Sequence, residues 1–287
     1  MYTLNQKDKI KQMIQLLLNV GGGKDNWIRY LSHYLEKNQI EHKVFVANKN
    51  LSMIDPRNGP AVVLGLMRGS EVILDLYIKE NKTFYNLDHP YLWPKTRKPF
   101  ILHWKRICKN CLSVNKLYDP KKIDQTDIDR ITAHGRNNYL ESIQPWNKKG
   151  KYILLCPSSY RVMSRIEKKL ATPENWVINT TETLKKYTDR PIIVKEKHAR
   201  NPLHSYFKDC FACVTYTSMA AVECLKAGIP SFCHPASCAA PVSKTDLSQI
   251  ESPIYPDNRE QLIDTFLLNQ FNAEETKNGT AWEFINR

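Results

Sequence analysis

The stretch from Phe211 to Phe232 constrains the fold of this chain more than any other. It opens with a short apolar run, Phe211 to Thr215, that suits a strand buried in a parallel sheet. Thr217 and Ser218 follow as N-cap residues, and Met219 to Ala227 reads as a helix. Gly228 closes that helix, Pro230 blocks its continuation, and Ser231-Phe232-Cys233 starts another strand. Hydroxyls beside the N–H groups of a helix N-terminus offer a phosphate a seat. Glu223 lies about one and a half turns into the helix, from where a carboxylate could reach a ribose. An ordinary βαβ unit with a surface glutamate has the same spacing.

Two further segments feed the same chemistry. Tyr152 to Cys156 is a buried strand whose exit carries Ser158, Ser159, Arg161 and Arg165. The two arginines lie four apart on one face of a helix start, so hydroxyls and guanidiniums together would suit a nucleotide diphosphate. The strand Pro191 to Val194 runs into the basic stretch Lys195 to Arg200.

The motif from Phe211 resembles the donor-binding segment of GT-B glycosyltransferases. There a Ser/Thr pair meets the diphosphate and a Glu in the next helix holds the ribose, roles that carry onto Thr217, Ser218 and Glu223. Further blocks resemble a glycosyltransferase-like family common in bacteriophages: Leu87-Asp-His-Pro-Tyr91, Cys156-Pro-Ser158, Arg190-Pro-Ile192, Leu247 to Pro253, and Gln270-Phe271 through Gly279-Thr-Ala-Trp282. They run in order from about residue 85 to the end of the chain. In that family a basic pair after the strand lies by the donor phosphates, which implies Lys195 and Lys197 here. Ser159 to Arg165 is also similar to the diphosphate-binding segment of a bacteriophage DNA β-glucosyltransferase. The resemblance implies an α/β fold of two Rossmann-like domains facing across a cleft, with the donor on the C-terminal domain and a C-terminal helix crossing back to the first.

The N-terminal half supports a Rossmann-like opening. Residues 12–20 could be a first strand or a helix end; Gly21-Gly22-Gly23 follows, then a helix from Asp25 or Asn26 to about Lys37 and a strand near Lys43 to Ala47. The triple glycine lacks the spacing of a dinucleotide fingerprint; it could let backbone approach a donor phosphate or be a plain connection. Ala61 to Leu66 is a buried strand, Ser70 starts a helix to about Glu80, and Phe84 to Leu87 is a strand ending at Asp88 and His89. Ligands of parallel α/β sheets bind outside the carboxyl ends of strands. Asp88 is therefore the expected base for an acceptor hydroxyl, with His89 second, although Asp88 could equally cap the turn before Pro90. Aromatics and cations interleave from Tyr91 to Arg106; they could stack bases and grip a backbone, or Trp93 and Trp104 could be core. A polar connector over 119–150 places the domain boundary near 148, giving domains 1–148 and 149–268 and a returning helix at 269–287.

Net charge is +13, from 42 Lys and Arg against 29 Asp and Glu. A polyanion partner is one explanation and a well-solvated lysine-rich surface the other. No apolar run approaches the ~20 residues that span a bilayer, and no signal peptide opens the chain, so a cytoplasmic protein, read as a monomer, is expected. Eight cysteines then imply reduced thiols. Cys108/Cys111 and Cys210/Cys213 are too far apart for a zinc ribbon, and strand alternation would point the sulfurs of the second pair in different directions.

Together these readings predict transfer of a sugar from a nucleotide sugar, a UDP-sugar by preference, with no tightly bound cofactor or metal. The expected acceptor is a 5-hydroxymethylpyrimidine in double-stranded phage DNA, contacted through Lys98, Lys105 and Arg106. A transferase for surface glycans or protein, a UDP-sugar 2-epimerase and a catalytically silent DNA-binding scaffold remain open alternatives.

Overall fold

The computed structural model describes residues 12–19, 26–93, 104–160, 162–163, 172–197 and 199–287. Of the residues singled out above, Gly21, Gly22, Gly23, Lys98, Arg161 and Arg165 lie outside those described. The chain forms two compact units, residues 1–112 with 269–287, and residues 113–268.

The first unit is built on a six-stranded sheet in the order β10-β5-β4-β3-β1-β2. β1 (Ile14–Leu18), β2 (His42–Val46), β3 (Ala61–Leu64) and β4 (Phe84–Asp88) run parallel, while β5 (Trp104–Lys109) and β10 (Gln270–Asn272) add antiparallel pairs. Every residue of β1 is buried, because the sheet is covered on both faces. Leu16 and Leu18 join Trp27, Ile28, Leu31 and Leu35 of α1 (Asn26–Lys37) on one face. Leu17 joins Ile73, Leu74 and Tyr77 of α2 (Ser70–Lys79) on the other. Each such fully buried side chain contributes about 1.5–3 kcal/mol relative to exposure. Gln15, the polar exception in β1, is satisfied by Asp55 O at 2.7 Å, Gly59 O at 3.0 Å and the Tyr77 hydroxyl at 2.8 Å.

The chain re-enters this unit at its C-terminus. Instead of one helix from about Glu274, two short ones form, separated by Gly279. Gly279 has φ +95°, and a Cβ there would meet the Tyr34 ring at 2.0 Å. Ala281 joins the α1 face of the core, with Trp282, Phe284 and Ile285 packed against it.

In the second unit the sheet is all parallel, in the order β7-β6-β8-β9: β6 (Tyr152–Cys156), β7 (Ile192–Val194), β8 (Cys210–Thr215) and β9 (Ser231–Cys233). The polar stretch expected as a connector belongs to this unit. It holds α3 (Gln125–Ala133), closed by an Asp124/Asp127 capping box, and α4 (Arg136–Glu141). Two of its charges face inward partners: Arg136 makes a two-pronged ion pair with the buried Asp264 at 2.6 and 2.8 Å, and Arg130 donates to Leu268 O at 2.9 Å. Polarity there serves packing, so the units divide at Leu112 and not near 148. α5 (Pro173–Leu184) is capped by Thr172 and covers one sheet face with Trp176, Val177 and Leu184. α6 (Ala220–Lys226) and α7 (Arg259–Leu268) complete the unit. No helix among the described residues is long and apolar enough to cross a membrane.

Candidate functional site

Parallel order in the second sheet brings four strand exits into one row: Lys195 after β7, Ser158 after β6, Thr217 and Ser218 after β8, and His234 after β9. At about 4.8 Å per strand spacing the row spans about 14 Å. Its loops are fastened to one another. Thr215 Oγ1 donates to Cys156 O at 2.6 Å and accepts from the Ser218 N–H at 3.2 Å. The buried Ser158 Oγ accepts from the Thr217 N–H at 2.8 Å and lies 3.4 Å from Thr217 Oγ1. Ser218 Oγ accepts from the Ala220 N–H at 3.2 Å.

Lys195 is 9% exposed; its Nζ donates to Glu196 O at 2.7 Å, one of the three hydrogen bonds an ammonium can donate. Glu223 lies on α6, the helix that follows the Thr217–Ser218 loop. Glu223 and Lys197 are exposed, and Ser159 is half-buried. Helix α6 differs from the expectation. It is seven residues long with Met219 at the cap position, so Thr217 and Ser218 shape the loop before it and are not its N-cap.

In the first unit, Asp88 and His89 close β4 at its carboxyl end. The Asp88 carboxylate is already engaged: Oδ2 takes the Arg106 guanidinium at 2.9 Å and Oδ1 accepts the His89 N–H at 2.8 Å. Arg106 also lies over the Tyr91 ring, 4.9 Å from its centroid. Such an arrangement fits a buttress for the β4–β5 pair better than a base open to substrate. His89 is exposed, with its ring 5.9 Å from Trp93. Lys105 is 3% exposed, and its backbone pairs with Phe271 of β10. At that burial the Lys105 ammonium is not open to a polyanion, against the expectation that it contacts DNA. Arg106 is half-buried in its ion pair.

The cysteines also correct an expectation. A register shift pairs Tyr152 with Cys210 and Ile153 with Ala212, so Phe211 is an extra residue in β8. The bulge turns Cys210 and Cys213 to the same side, where they pack with Cys156, Cys224 and Ile229. Burial pushes the Cys210 thiol up to about 12. These are neutral thiols filling a core. Among the described residues no group of three or more His, Cys, Asp or Glu side chains is placed to hold a metal ion.

His234 follows β9 and opens the small-residue loop that runs to Pro241. Its ring lies on that of Tyr216, with centroids 4.6 Å apart and planes tilted by 31°.

No family model and no curated relative matches the chain. Among solved structures it is similar to the β-Kdo 2,7 transferase of Thermosulfurimonas dismutans KpsC, with TM-score 0.52 over 96% of this chain and 99% of that one, at 12% identity. The fold is of the GT-B type. The β-Kdo 2,4 transferase of the same protein follows at TM-score 0.49 and 10% identity, covering 96% of this chain and 98% of that one. A Methanocaldococcus jannaschii UDP-GlcNAc 2-epimerase, solved with UDP-GlcNAc and UDP, matches at TM-score 0.28 and 9% identity, covering 87% and 97%.

Proposed function

We propose that this protein transfers a sugar from a nucleotide sugar to a hydroxyl acceptor, with the donor held at the carboxyl edge of the second sheet. The observation that carries this reading is the row of strand exits in which Ser158, Thr217 and Ser218 are interlocked, with Lys195 at the neighbouring β7 exit and Glu223 on the helix that follows. A preorganised cluster of hydroxyls with one buried cation suits the negative charge that builds on a leaving diphosphate. Lys195 neutralises that charge, Lys197 adds long-range attraction, Ser158, Ser159, Thr217 and Ser218 bind phosphate oxygens, and Glu223 accepts from the ribose hydroxyls. A UDP-sugar is the preferred donor. The GT-B-type fold supports the reading, because that fold is shared with a sugar transferase.

Replacing Glu223 by alanine is expected to weaken UDP binding about tenfold to a hundredfold, the range for a hydrogen bond to a charged group. Calorimetry on the folded variant checks this, and an unchanged affinity removes Glu223 from the site.

On the acceptor side, His89 serves as general base in this reading, because Asp88 is committed to Arg106 and to the chain itself. The acceptor is a hydroxymethylpyrimidine in duplex DNA, a choice supported by the net charge of +13. A glycan acceptor is the second reading. Mass spectrometry of nucleosides from hydroxymethylated DNA, incubated with the protein and a panel of nucleotide sugars, separates the two. A glycosylated nucleoside supports the DNA acceptor. Donor consumption that leaves the DNA unmodified and is stimulated by a glycan supports the second.

A further inference from the structure

We infer that the amino edge of the second sheet binds the phosphate backbone of duplex DNA. This takes only the class of partner from the reading above and uses none of the donor-site residues. Parallel order sets the four strand entries side by side, at the end of the sheet opposite the exits. The entries are tied to one another. The Lys151 N–H, before β6, donates to Asp209 O, before β8, at 2.7 Å. Arg190, before β7, donates from Nη1 to Gly150 O at 2.8 Å. The Asn147 N–H reaches Gly228 O, near the entry of β9, at 2.7 Å. At about 4.8 Å per strand the entries span about 14 Å.

Lysines crowd onto these segments. Lys148, Lys149 and Lys151 lead into β6, Lys185 and Lys186 follow α5 on the way to β7, and Lys208 stands before β8; all are exposed. Two nearby carboxylates are engaged, Asp209 with Lys151 at 3.4 Å and Glu251 with Arg190 at 3.0 Å. Among the described residues no carboxylate pairs with Lys148, Lys149, Lys185, Lys186 or Lys208. Duplex DNA carries about one negative charge per 1.7 Å of its axis, so an edge of about 14 Å faces about eight. Lysines meet phosphates as point charges and read no bases, which makes the binding independent of sequence.

A merely well-solvated surface is the competing role, and place must be separated from net charge. One variant changes Lys148, Lys149, Lys185, Lys186 and Lys208 to glutamine. The control changes Lys37, Lys43, Lys49, Lys79 and Lys82, all exposed in the first unit, and loses the same charge. A fluorescent duplex without modified bases is titrated into each, by anisotropy, between about 50 and 200 mM salt. The amino-edge variant is expected to bind about a hundredfold more weakly at the lowest salt, with a salt slope shallower by about one for each lysine that meets a phosphate. The control should stay within a few-fold of wild type. Equal losses in both variants, wild-type affinity in the first, or no binding by the wild type overturns the inference. Polyglutamate that competes as well per charge as unlabelled duplex overturns it in favour of an acidic protein. Lysine acetylation of the wild type with and without the duplex, read by mass spectrometry, repeats the test without a variant. Protection of the five amino-edge lysines is expected, and protection of the control five alone contradicts it. UDP affinity, measured alongside, should be unchanged in the amino-edge variant, so failure of this surface and failure of the donor site are read separately.

Discussion

Replacing His89 by alanine is expected to lower sugar transfer about 10²–10⁴-fold, the contribution of a positioned general base. A hydroxyl acceptor is a poor nucleophile until its proton is taken as the new bond forms, so the loss should fall on turnover and not on donor affinity. His89 stands at the carboxyl end of a parallel strand with an exposed side chain, where a ligand of an α/β sheet would meet it. Asp88 beside it offers a carboxylate that already receives a guanidinium at 2.9 Å and a backbone N–H at 2.8 Å. The Asp88→Asn variant should therefore act mainly on stability, by weakening the partner of a half-buried Arg106. Initial rates for the two folded variants, with UDP affinity measured in parallel, decide the matter. Near-normal transfer by His89→Ala and a collapse in Asp88→Asn would reverse the assignment.

The Gly228→Ala variant should lose several kcal/mol of stability. Gly228 sits at φ +78°, where an L-residue costs about 1–2 kcal/mol. A Cβ there would also lie 1.9 Å from Pro145 O, a backbone atom fastened by neighbouring bonds from Gln144 N–H to Lys226 O and from Asn147 N–H to Gly228 O, each 2.7 Å. Overpacking of that kind adds about 1–3 kcal/mol, and the sum is a large part of the roughly 5–15 kcal/mol that holds a domain folded. Gly65→Ala is the control: its φ is +69°, but a Cβ there meets nothing within 4 Å. Denaturant midpoints should place Gly228→Ala well below Gly65→Ala. Equal midpoints would mean that segment 144–147 does not close over Gly228.

What was legible in the sequence was local. The apolar run from Phe211, Gly228 and Pro230 announced β8, α6 and β9, because strand burial, a left-handed cap and a helix block each leave a signal within a few residues. β5 was hidden. Trp104 to Lys109 carries three cations, of which Arg106 pairs with Asp88 and Lys109 lies 5.9 Å from the Tyr85 centroid. Read locally, the same residues look like a basic surface patch. β10 and the bulge at Phe211 depend on strands far away in the chain, so no window of neighbours could reveal them. The misplaced boundary has the same origin, since Arg136 looks like a linker charge until Asp264 is seen beside it. Within the proposed donor site, Ser158, Lys195, Thr217 and Ser218 could be chosen from strand exits alone.

The central claim is that the carboxyl edge of the second sheet activates a nucleotide sugar, and release of the nucleotide measures this most directly. Purified protein is incubated with a panel of nucleotide sugars, and free nucleoside diphosphate is quantified, with and without hydroxymethylated duplex DNA or a glycan acceptor. The account predicts repeated turnover of one donor, UDP-linked by preference. It also predicts that turnover falls sharply in a folded Lys195→Ala variant, which removes the buried cation at the β7 exit. No release above background from any donor, or full turnover without the Lys195 ammonium, would contradict it.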